Sequence, residues 1–598
     1  MEESNPSSVK SNLPVILIAA LVQGAAFLAL DHAQHAGRLG PAWLTALYSA
    51  FFLGPVTVQL LARFARNRFM WVLSCGVTGL CFYFGWHEGA TQIPATQYSP
   101  LPFDIQPAFP LALIVLWLLA LPFIQARLSS GRWRTAYGTV FGDAWRNILV
   151  LAEAGLFTGL FWLLLGLWQA LFGMLKIEFF SHLFGSTGFI YPVTTATFGI
   201  ALHLIGSIDR LTSVVLEQLL NVLKWLAIVA GCLLTLFTVA LAFSLPGLVF
   251  TGEHAIGAVW LLWLVAVIVL LLNAAFRDGS VDRPYPRWIG VALRGMVPLT
   301  VVISATAVYS LGVRTQHYGI TVERCWAWIV AGTLFLYSLG YSIAAFNRNT
   351  WMGGMARVNV TVAIALMVVI AATLTPAFAP QRLAANSQFA RIIGQTVSAA
   401  EKNTSSGSPF VYLRFDSGSY GLARLKQLAA LSPSAPGAND IRRLAAESLA
   451  RDSRYATEPA AAPAEPVELR DSFAKARIFP TGRNLSQELI EALLAQQKRQ
   501  PNGALTHACS LGDCFGFFVD LNSDGSEEFV ILSVNTGWAF QQQGGQWAFI
   551  EYVHSSFPAS TPWEEVRGAL AEGHYSVVTP QWKDLSIGGR QFRVDLEH

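Results

Sequence analysis

The sequence predicts an α-helical polytopic membrane bundle of about 11 transmembrane helices, followed by an α+β soluble extracytoplasmic domain. Hydrophobic residues make up 53% of the 598 residues and charged residues only 13%, whereas about a quarter of the residues of a soluble protein are charged. Eleven apolar stretches precede residue 380. Beyond it lie 20 of the 40 Lys and Arg residues and 23 of the 37 Asp and Glu residues, so a second, water-exposed part begins there.

Each apolar stretch is long enough, or nearly so, to cross a hydrocarbon core of about 30 Å as a helix. The first follows Lys10 but has no small-residue cleavage site, so we expect it to be retained rather than removed as a signal peptide. In chain order, the predicted spans are Leu13–Leu30, Ala42–Leu61, Phe69–Trp86, Pro110–Gln125, Ile148–Leu175, Gly188–Ile208, Trp225–Phe250, Ile256–Phe276, Trp288–Val313, Cys325–Phe346 and Val358–Ala379.

Basic residues between the spans fall mainly in every second gap, which predicts the orientation of the chain. Basic residues near span ends stay preferentially on the cytoplasmic side. One side carries 15 of them: Lys10, Arg63, Arg66, Arg68, Arg127, Arg132, Arg134, Arg146, Arg210, Lys224, Arg277, Arg283, Arg287, Arg348 and Arg357. The other side carries four: Arg38, Lys176, Arg314 and Arg324. We therefore expect a cytoplasmic N-terminus at 1–12, a transmembrane domain at 13–379 and a periplasmic domain at 380–598.

The periplasmic domain is predicted to mix helices and strands. Its 20 basic and 23 acidic residues give a net charge of −3, which argues against a nucleic-acid partner. An Ala, Pro and Glu-rich linker is expected near 457–466. The predicted elements are helices at 381–401, 420–430, 439–451, 486–499 and 562–572, a strand at 410–415, a hairpin or meander from 515 to 553, and two closing strands.

Six cysteines occur, and only Cys509 and Cys514 lie in this domain. An extracytoplasmic compartment permits disulfides, so the favoured interpretation is a bridge between these two cysteines. Metal binding is the alternative, for which His507 supplies at most one further ligand.

A D-x-N-x-D-G-x-x-E pattern between two strand-like runs makes a candidate calcium site. Alternate oxygen-bearing side chains with a glycine at the turn suit a hard cation. The pattern is not an EF-hand, because its twelfth position is Ile531, and the same residue types are also expected in a solvated hairpin turn. The candidate ligands are Asp520, Asn522, Asp524 and Glu528.

Three ionisable residues within the predicted spans form a candidate polar cluster: Glu153, His203 and Arg294. Each lies seven residues from Arg146, Arg210 or Arg287, which places them in one layer about 10 Å inside at 1.5 Å per residue. A charge in this position usually faces the bundle interior and has a partner. A Glu153–Arg294 pair near His203 would line a polar cavity or proton path, and a structural ion pair or snorkelling is the alternative.

The gap after the ninth span has an unusual pattern for the outer face, because it contains two arginines. The motif comprises Arg314, Tyr318, Gly319, Thr321 and Arg324. A Tyr-Gly turn is expected, with Thr321 capping the next helix. The arginines would bind a lipid phosphate or a carboxylate of the C-terminal domain, or would serve only as caps.

This motif resembles one in a large bacterial family of multi-pass inner-membrane proteins described only as a domain of unknown function. In that family Leu is usual where this chain has Ile320. The similarity extends to residues 412–416, to Tyr420-Gly421 and to the Asp520 turn. The resemblance implies a location in a Gram-negative inner membrane and implies no activity.

Three classes of function remain. The favoured one is an envelope scaffold, sensor or binding protein that acts through its periplasmic domain, with membrane lipids and envelope proteins or lipid-linked glycans as partners. A transporter of a small polar or lipidic substrate would use the Glu153 layer. A lipid-linked glycosyltransferase would use an acid such as Asp31 in the first outer loop, although that loop is short. The C-terminal domain lacks the motifs of common soluble enzymes, so catalysis is not expected there.

Overall fold

The chain folds into two compact units in a computed structural model. They comprise Met1–Leu449 and Ala450–His598. The predicted boundary at residue 380 falls inside the first unit, because the helices that follow it pack with the helices before it. The structure describes residues 12–92, 107–133, 136–207, 209–251, 257–277, 285–346, 351–394, 397, 408–432, 437–451, 477–479, 483–499, 509, 514–522, 524–532, 537–553, 568, 585–587 and 590–592.

Long helices make up most of the first unit. Among the described residues, eleven segments are long and apolar enough to cross a membrane, the number predicted. The helices are α1 (Leu13–His35), α2 (Pro41–Leu60), α3 (Arg68–Thr91), α4 (Ala108–Ser130), α5 (Tyr137–Met174), α6 (Phe179–Gly185), α7 (Thr187–Ser207), α8 (Asp209–Thr251), α9 (Ala258–Phe276), α10 (Arg287–Met296), α11 (Leu299–Tyr318), α12 (Val322–Phe346) and α13 (Trp351–Thr373).

The ninth predicted span is divided into α10 and α11. The break falls at Val297 and Pro298. Proline has no backbone N–H to donate and its ring crowds the preceding turn, so the helical hydrogen-bond ladder is interrupted there. Arg294 consequently lies on the short helix α10 rather than in the middle of one continuous span.

The α2–α3 hairpin is held together by close backbone contact at two glycines spaced four residues apart. A Cβ atom at Gly85 would lie 2.6 Å from the Thr45 carbonyl oxygen, and one at Gly89 would lie 2.5 Å from the Pro41 carbonyl oxygen. Small residues at this spacing let two helices approach until their backbones touch. The hairpin therefore places the end of α3 against the start of α2.

A buried polar network joins four helices of the first unit. Asn359 on α13 donates to Asn273 Oδ1 on α9 and to the Tyr137 hydroxyl on α5, each at 2.6 Å. The Tyr341 hydroxyl on α12 donates to Asn359 Oδ1 and accepts from Asn273 Nδ2 at 2.8 Å. Such networks are stabilising when every member is paired, because an unpaired polar group in an apolar interior is costly.

Four shorter helices follow α13 within the first unit. They are α14 (Pro380–Ile393), α15 (Pro409–Phe415), α16 (Gly418–Ala429) and α17 (Ala438–Ala450). They share a core that contains Ala385, Phe410, Leu425 and Ile441. The predicted helices at 381–401, 420–430 and 439–451 are present, although the first ends at Ile393.

The strand predicted at 410–415 is wrong, because these residues form helix α15. Its apolar run indicated a strand, but Ser408 and Pro409 form a helix start. The Ser408 hydroxyl accepts a hydrogen bond from the Phe410 N–H at 3.4 Å, and Pro409 occupies the first turn. Phe410, Val411 and Leu413 are buried. Packing in the α14–α17 core outweighs the strand preference of these residues.

The second unit contains a five-stranded sheet in the order β1-β2-β3-β4-β5 and a separate two-stranded ribbon. β1 is parallel to β2, helix α18 connects them, and β2 to β5 form an antiparallel meander, as predicted from residue 515. The elements are β1 (Arg477–Phe479), α18 (Gln487–Arg499), β2 (Phe515–Val519), β3 (Glu528–Leu532), β4 (Gly537–Gln543), β5 (Gln546–Val553), β6 (Leu585–Ile587) and β7 (Arg590–Phe592).

The core of the second unit lies between α18 and the sheet. Leu489 and Leu493 of α18 are fully buried together with Phe529 and Phe540. The two predicted closing strands correspond to β6 and β7. The predicted linker at 457–466 and nearly all of the predicted helix at 562–572 lie outside the described residues.

Candidate functional site

The motif predicted for the outer face forms a tight loop between α11 and α12, here called the junction loop (residues 317–321). Gly319 has a φ of +72°, a conformation that side-chain-bearing residues rarely adopt. A Cβ atom there would lie 2.5 Å from Cδ of Arg391 and 3.0 Å from Nε2 of Gln388. Glycine is thus required at this position for two reasons: the positive φ disfavours a side chain, and α14 lies too close for a Cβ atom.

Three side chains of α14 bind the backbone of the junction loop. The Ser387 hydroxyl accepts from the Ile320 N–H at 2.9 Å, and Gln388 Nε2 donates to the carbonyls of Tyr318 and Ile320 at 3.1 and 3.0 Å. Arg391 donates to the carbonyls of Tyr318 and His317 at 2.8 and 3.0 Å. The backbone groups of a tight loop have no partners in regular secondary structure, and here side chains of α14 form hydrogen bonds with several of them.

The motif itself supplies the remaining contacts of the loop. Thr321 precedes α12, and its hydroxyl accepts from the Arg324 N–H at 3.3 Å, which confirms the predicted cap. Arg324 donates to the Gly319 carbonyl at 2.6 Å and lies over the Tyr318 ring. Of the two uses considered for the arginines, the structure thus shows Arg324 in a loop-stabilising role. Arg314 is exposed on the last turns of α11.

Tyr412 of α15 also contacts the start of α12. Its hydroxyl accepts a hydrogen bond from the Val322 N–H at 2.7 Å. Burial raises the pKa of Tyr412 above its usual value, so the hydroxyl stays protonated at neutral pH. Tyr412 begins the segment 412–416, which is similar to the bacterial family named above. This segment therefore lies next to the junction loop in the fold.

A second contact joins the end of α3 to α14 and α16. Gln381 donates to the carboxylate of Glu88 at 3.2 and 3.4 Å, and both side chains are buried. His87 Nε2 lies 3.3 Å from the Tyr420 hydroxyl. Gly418 has a φ of +56°, and a Cβ there would lie 2.5 Å from the Thr91 carbonyl oxygen. The short helices are therefore attached at two places to the end of the long-helix bundle.

The predicted cluster of Glu153, His203 and Arg294 is not brought together as an ion-paired set. Glu153 lies on α5 and Arg294 on α10, and the described residues include no ion pair between them. His203 lies on α7 and lines a cavity of about 160 Å³, to which neither of the other two contributes. The seven-residue spacing from Arg146, Arg210 and Arg287 predicted a common depth for the three residues. It contained no information about which helices are neighbours.

The cavity lies where α1 and α5 begin and where α2, α4 and α7 end. Its polar lining includes Asn12, Gln59, Arg63, Asp143, Arg146 and His203. Arg63 and Asp143 form an ion pair with a nitrogen–oxygen distance of 3.6 Å. Gln125 and Asn147, also in the wall, exchange two hydrogen bonds of 3.0 and 2.8 Å. Of these lining residues, only His203 was predicted from the sequence as part of a site. Asn and Gln residues near span ends are too common to indicate a cavity.

The Asp520 turn is stabilised by hydrogen bonds within the loop. Asp520 accepts from the N–H groups of Asp524 and Gly525 at 3.2 and 3.0 Å, and Glu528 accepts from the Leu521 N–H at 2.7 Å. Asn522 donates to Asp524 at 2.8 Å. Within the described part of the chain, no group of three or more His, Cys, Asp or Glu residues is arranged to hold a metal. The loop joins the antiparallel strands β2 and β3, as a hairpin turn does.

Cys509 and Cys514 are joined by a disulfide, as predicted. Both are buried in the core between α18 and the sheet. Cys75, Cys81, Cys232 and Cys325 are free.

Comparison of the chain with protein-family models, curated protein sequences and solved structures finds no match.

Proposed function

We propose that this protein spans a bacterial inner membrane and acts as an envelope scaffold, sensor or binding protein through a periplasmic portion. The observation that carries the proposal is the double attachment of α14–α16, through the junction loop and through the end of α3. A loose tether would serve to anchor a soluble domain. A hydrogen-bonded attachment is useful when the position of that part relative to the bundle matters.

The surface of the bundle supports membrane residence. Large apolar side chains are exposed along α5 and α8, for example Leu156 (65% exposed), Leu163 (64%) and Leu236 (71%). Extensive apolar surface of this kind is unfavourable in water and favourable against lipid chains. The distribution of basic residues supports a cytoplasmic N-terminus and, with it, an extracytoplasmic location of α14–α16.

The two alternative functions receive less support. The residues expected to serve a transporter, Glu153 and Arg294, form no ion pair with each other among the described residues. Asp31, the acid expected for a glycosyltransferase, accepts a hydrogen bond from the Tyr191 hydroxyl at 3.2 Å and lies 3.7 Å from His35. These partners explain Asp31 as a structural residue.

Orientation is tested by reporter fusions in cells. Alkaline phosphatase fused after His598 should be active and green fluorescent protein at the same place dark, because only the phosphatase matures outside the cytoplasm. Fusions after Arg132 should give the reverse result. An active phosphatase after Arg132 would overturn the proposed topology.

The scaffold role is tested by weakening the attachment. Arg391→Ala should release α14 and reduce the envelope proteins crosslinked to the periplasmic portion, while the amount of protein in the membrane stays constant. Arg382→Ala is the matched control, because Arg382 is exposed and its side chain donates to the Pro376 carbonyl at 3.1 Å, away from the junction loop. An unchanged crosslinking pattern in Arg391→Ala, with α14 demonstrably released, would contradict the proposal.

A further inference from the structure

The end of α5 and the short helix α6 form a packed aromatic hairpin, here called the apolar tip (residues 167–185). The centre of the Phe180 ring on α6 lies 4.6 Å from that of Phe172 and 5.4 Å from that of Trp168, both on α5. The Phe184 ring lies 5.3 Å from the Phe189 ring on α7. These ring contacts hold α6 against its two neighbours, so the apolar tip has a defined shape.

Contacts between α5 and α7 show how far the apolar tip projects. The two helices run antiparallel, because the hairpin turns the chain back. Trp162 of α5 donates from Nε1 to Thr194 Oγ1 at 3.0 Å, and the centre of its ring lies 6.2 Å from that of Phe189. Trp162 is therefore level with the middle of the segment 189–194. Thr187, the first residue of α7, is then level with about residue 166 of α5.

The apolar tip extends past the hydrocarbon core of the membrane. The apolar segment Thr187–Gly206 of α7 has 20 residues, a length of about 30 Å, which equals the thickness of the core. One boundary of the core is therefore near Thr187 and residue 166. Met174 lies about 12 Å farther along α5, at 1.5 Å per residue. Because the headgroup layer on one side is only about 5–7 Å thick, lipid does not cover the end of the tip.

The apolar tip nevertheless exposes large apolar side chains. Met174 is 80% exposed, Leu175 69% and Phe179 63%. Four more exposed apolar residues belong to the tip: Leu167, Trp168, Leu171 and Ile177. A large side chain that is half exposed presents on the order of 100 Å², so these seven present about 700 Å². On a surface outside lipid, a contiguous apolar patch of this size marks an interaction site.

The exposed apolar surface continues from the tip into the membrane. Leu156, Leu160, Leu163 and Leu164 of α5 are exposed at the depth of the hydrocarbon core. A water-soluble partner would match only the tip, whereas a partner that itself spans the membrane would match both parts. A second copy of this chain has the same surface at the same height, because both copies are inserted in one orientation and to one depth.

Charge and area also fit a second copy. Apart from His182, the ionisable side chains of the tip are Lys176 and Glu178, both exposed. Two tips therefore do not repel each other, and Lys176 of one copy would face Glu178 of the other. The exposed area is close to the roughly 800 Å² per partner that a standard protein interface buries. A Cβ atom at Gly166 would meet nothing within 4 Å, so a second helix can approach α5 closely there.

We propose that two copies of this chain associate side by side through the second half of α5 and the apolar tip, about a two-fold axis perpendicular to the membrane. The inference rests on the membrane residence proposed above but not on the orientation of the chain or on the scaffold role. The reporter fusions determine orientation whether or not the copies associate, so the two proposals fail independently.

Association is measured by counting copies in liposomes. Full-length protein carries one dye, attached enzymatically to an N-terminal tag, and is reconstituted at several protein-to-lipid ratios in phosphatidylethanolamine and phosphatidylglycerol. Photobleaching steps are counted for each vesicle. We expect vesicles with two steps to exceed the number given by random occupancy, and this excess to rise with protein density until it saturates.

Variants locate the contact. Gly166→Leu blocks the close approach of a second helix, and Met174→Asp places a charge in the interface, so each should weaken association at least about 10-fold. Both residues are exposed, so the unfolding temperature of each variant should match that of the unsubstituted protein. Gly76→Leu on α3, where a Cβ also meets nothing within 4 Å, and Phe378→Asp, at a residue that is 57% exposed, are the matched controls and should associate normally.

Two outcomes would overturn the proposal. Random occupancy at every protein-to-lipid ratio would show that the chain is monomeric and that a different membrane-spanning protein covers the tip. If Gly166→Leu and Met174→Asp associate as strongly as the unsubstituted protein, the copies meet through another surface.

Discussion

The Tyr412 hydroxyl accepts a hydrogen bond from the Val322 N–H at 2.7 Å, although the two residues are 90 positions apart in the chain. Val322 is the first residue of α12, and the first N–H groups of a helix have no partner within it. A residue of α15 thus completes the start of a long helix. The same hydrogen bond therefore caps α12 and attaches the short helices to it.

Tyr412→Phe should lower the free energy of unfolding by about 1–2 kcal/mol, because the Val322 N–H is left buried without its acceptor. The measurement is denaturant titration of the detergent-solubilised protein. Tyr309→Phe is the control, since Tyr309 is 72% exposed and its hydroxyl can contact solvent or headgroups. Equal effects of the two substitutions would show that the hydrogen bond contributes nothing.

The same tyrosine predicts a pH dependence. Burial raises the pKa of Tyr412 above the usual value of 10.0, so the folded state holds the hydroxyl proton more tightly than the unfolded state. The contribution of the Tyr412 hydroxyl to stability is therefore fully present below pH 10 and is lost as the pH rises above it. The free energy of unfolding should decline less steeply above pH 10 in Tyr412→Phe than in the unsubstituted protein. Parallel declines would contradict this assignment.

Gly319→Ala should destabilise the junction loop by about 1–3 kcal/mol, because it strains a φ of +72° and introduces a Cβ 2.5 Å from Arg391. Amide hydrogen exchange should become faster in α14. Gly312→Ala on α11 is the matched control. Its Cβ would meet only the Trp328 ring at 3.9 Å, and alanine within a helix is favourable. Unchanged amide exchange in α14 would show that the conformation of the junction loop does not determine how firmly α14 is attached.

Asn359→Leu should cost about 2–4 kcal/mol, because Tyr341, Asn273 and Tyr137 all lose a partner in a buried network. Tyr341→Phe removes one member of the same network. The double variant should lose less than the two single losses combined, since the interaction between them can be lost only once. Strictly additive losses in the denaturant titration would indicate that the hydrogen bonds do not act together.

Reduction of the Cys509–Cys514 disulfide should destabilise the second unit by about 2 kcal/mol, the value for a short closed loop. Limited proteolysis of Ala450–His598, with and without reductant, measures the effect. The double variant Cys509→Ala/Cys514→Ala should be insensitive to reductant, whereas Cys75→Ala should respond as the unsubstituted protein does. Sensitivity that persists in the double variant would point to another thiol.

Calcium at about 1 mM, the range of weak extracellular sites, should leave the unfolding temperature of the second unit unchanged. The Asp520 and Glu528 oxygens already accept backbone hydrogen bonds. Asp520→Ala should lower stability by about 1–2 kcal/mol by removing the acceptor for two N–H groups. A calcium-dependent rise that disappears in Asp520→Ala would instead establish a cation site.

Local patterns predicted many elements well. The apolar stretches identified the eleven long apolar segments found in the described part of the chain, because the length of a spanning helix is set by the thickness of the hydrocarbon core. The meander from Phe515 and the cap at Thr321 were also found from residue type and spacing. The segment at 410–415 failed, since its apolar residues suit a strand and a buried helix equally, and its Ser-Pro start was the overlooked signal.

The sequence alone determined which segments are apolar helices, which residues punctuate them and that Gly319, Thr321 and Arg324 belong to one loop. These properties depend on residues close together in the chain. Only the tertiary structure decided that α14 covers this loop and that His203 lines a cavity to which neither Glu153 nor Arg294 contributes. Which helices become neighbours depends on the packing of entire faces, and that information is distributed over hundreds of residues rather than held in any local pattern.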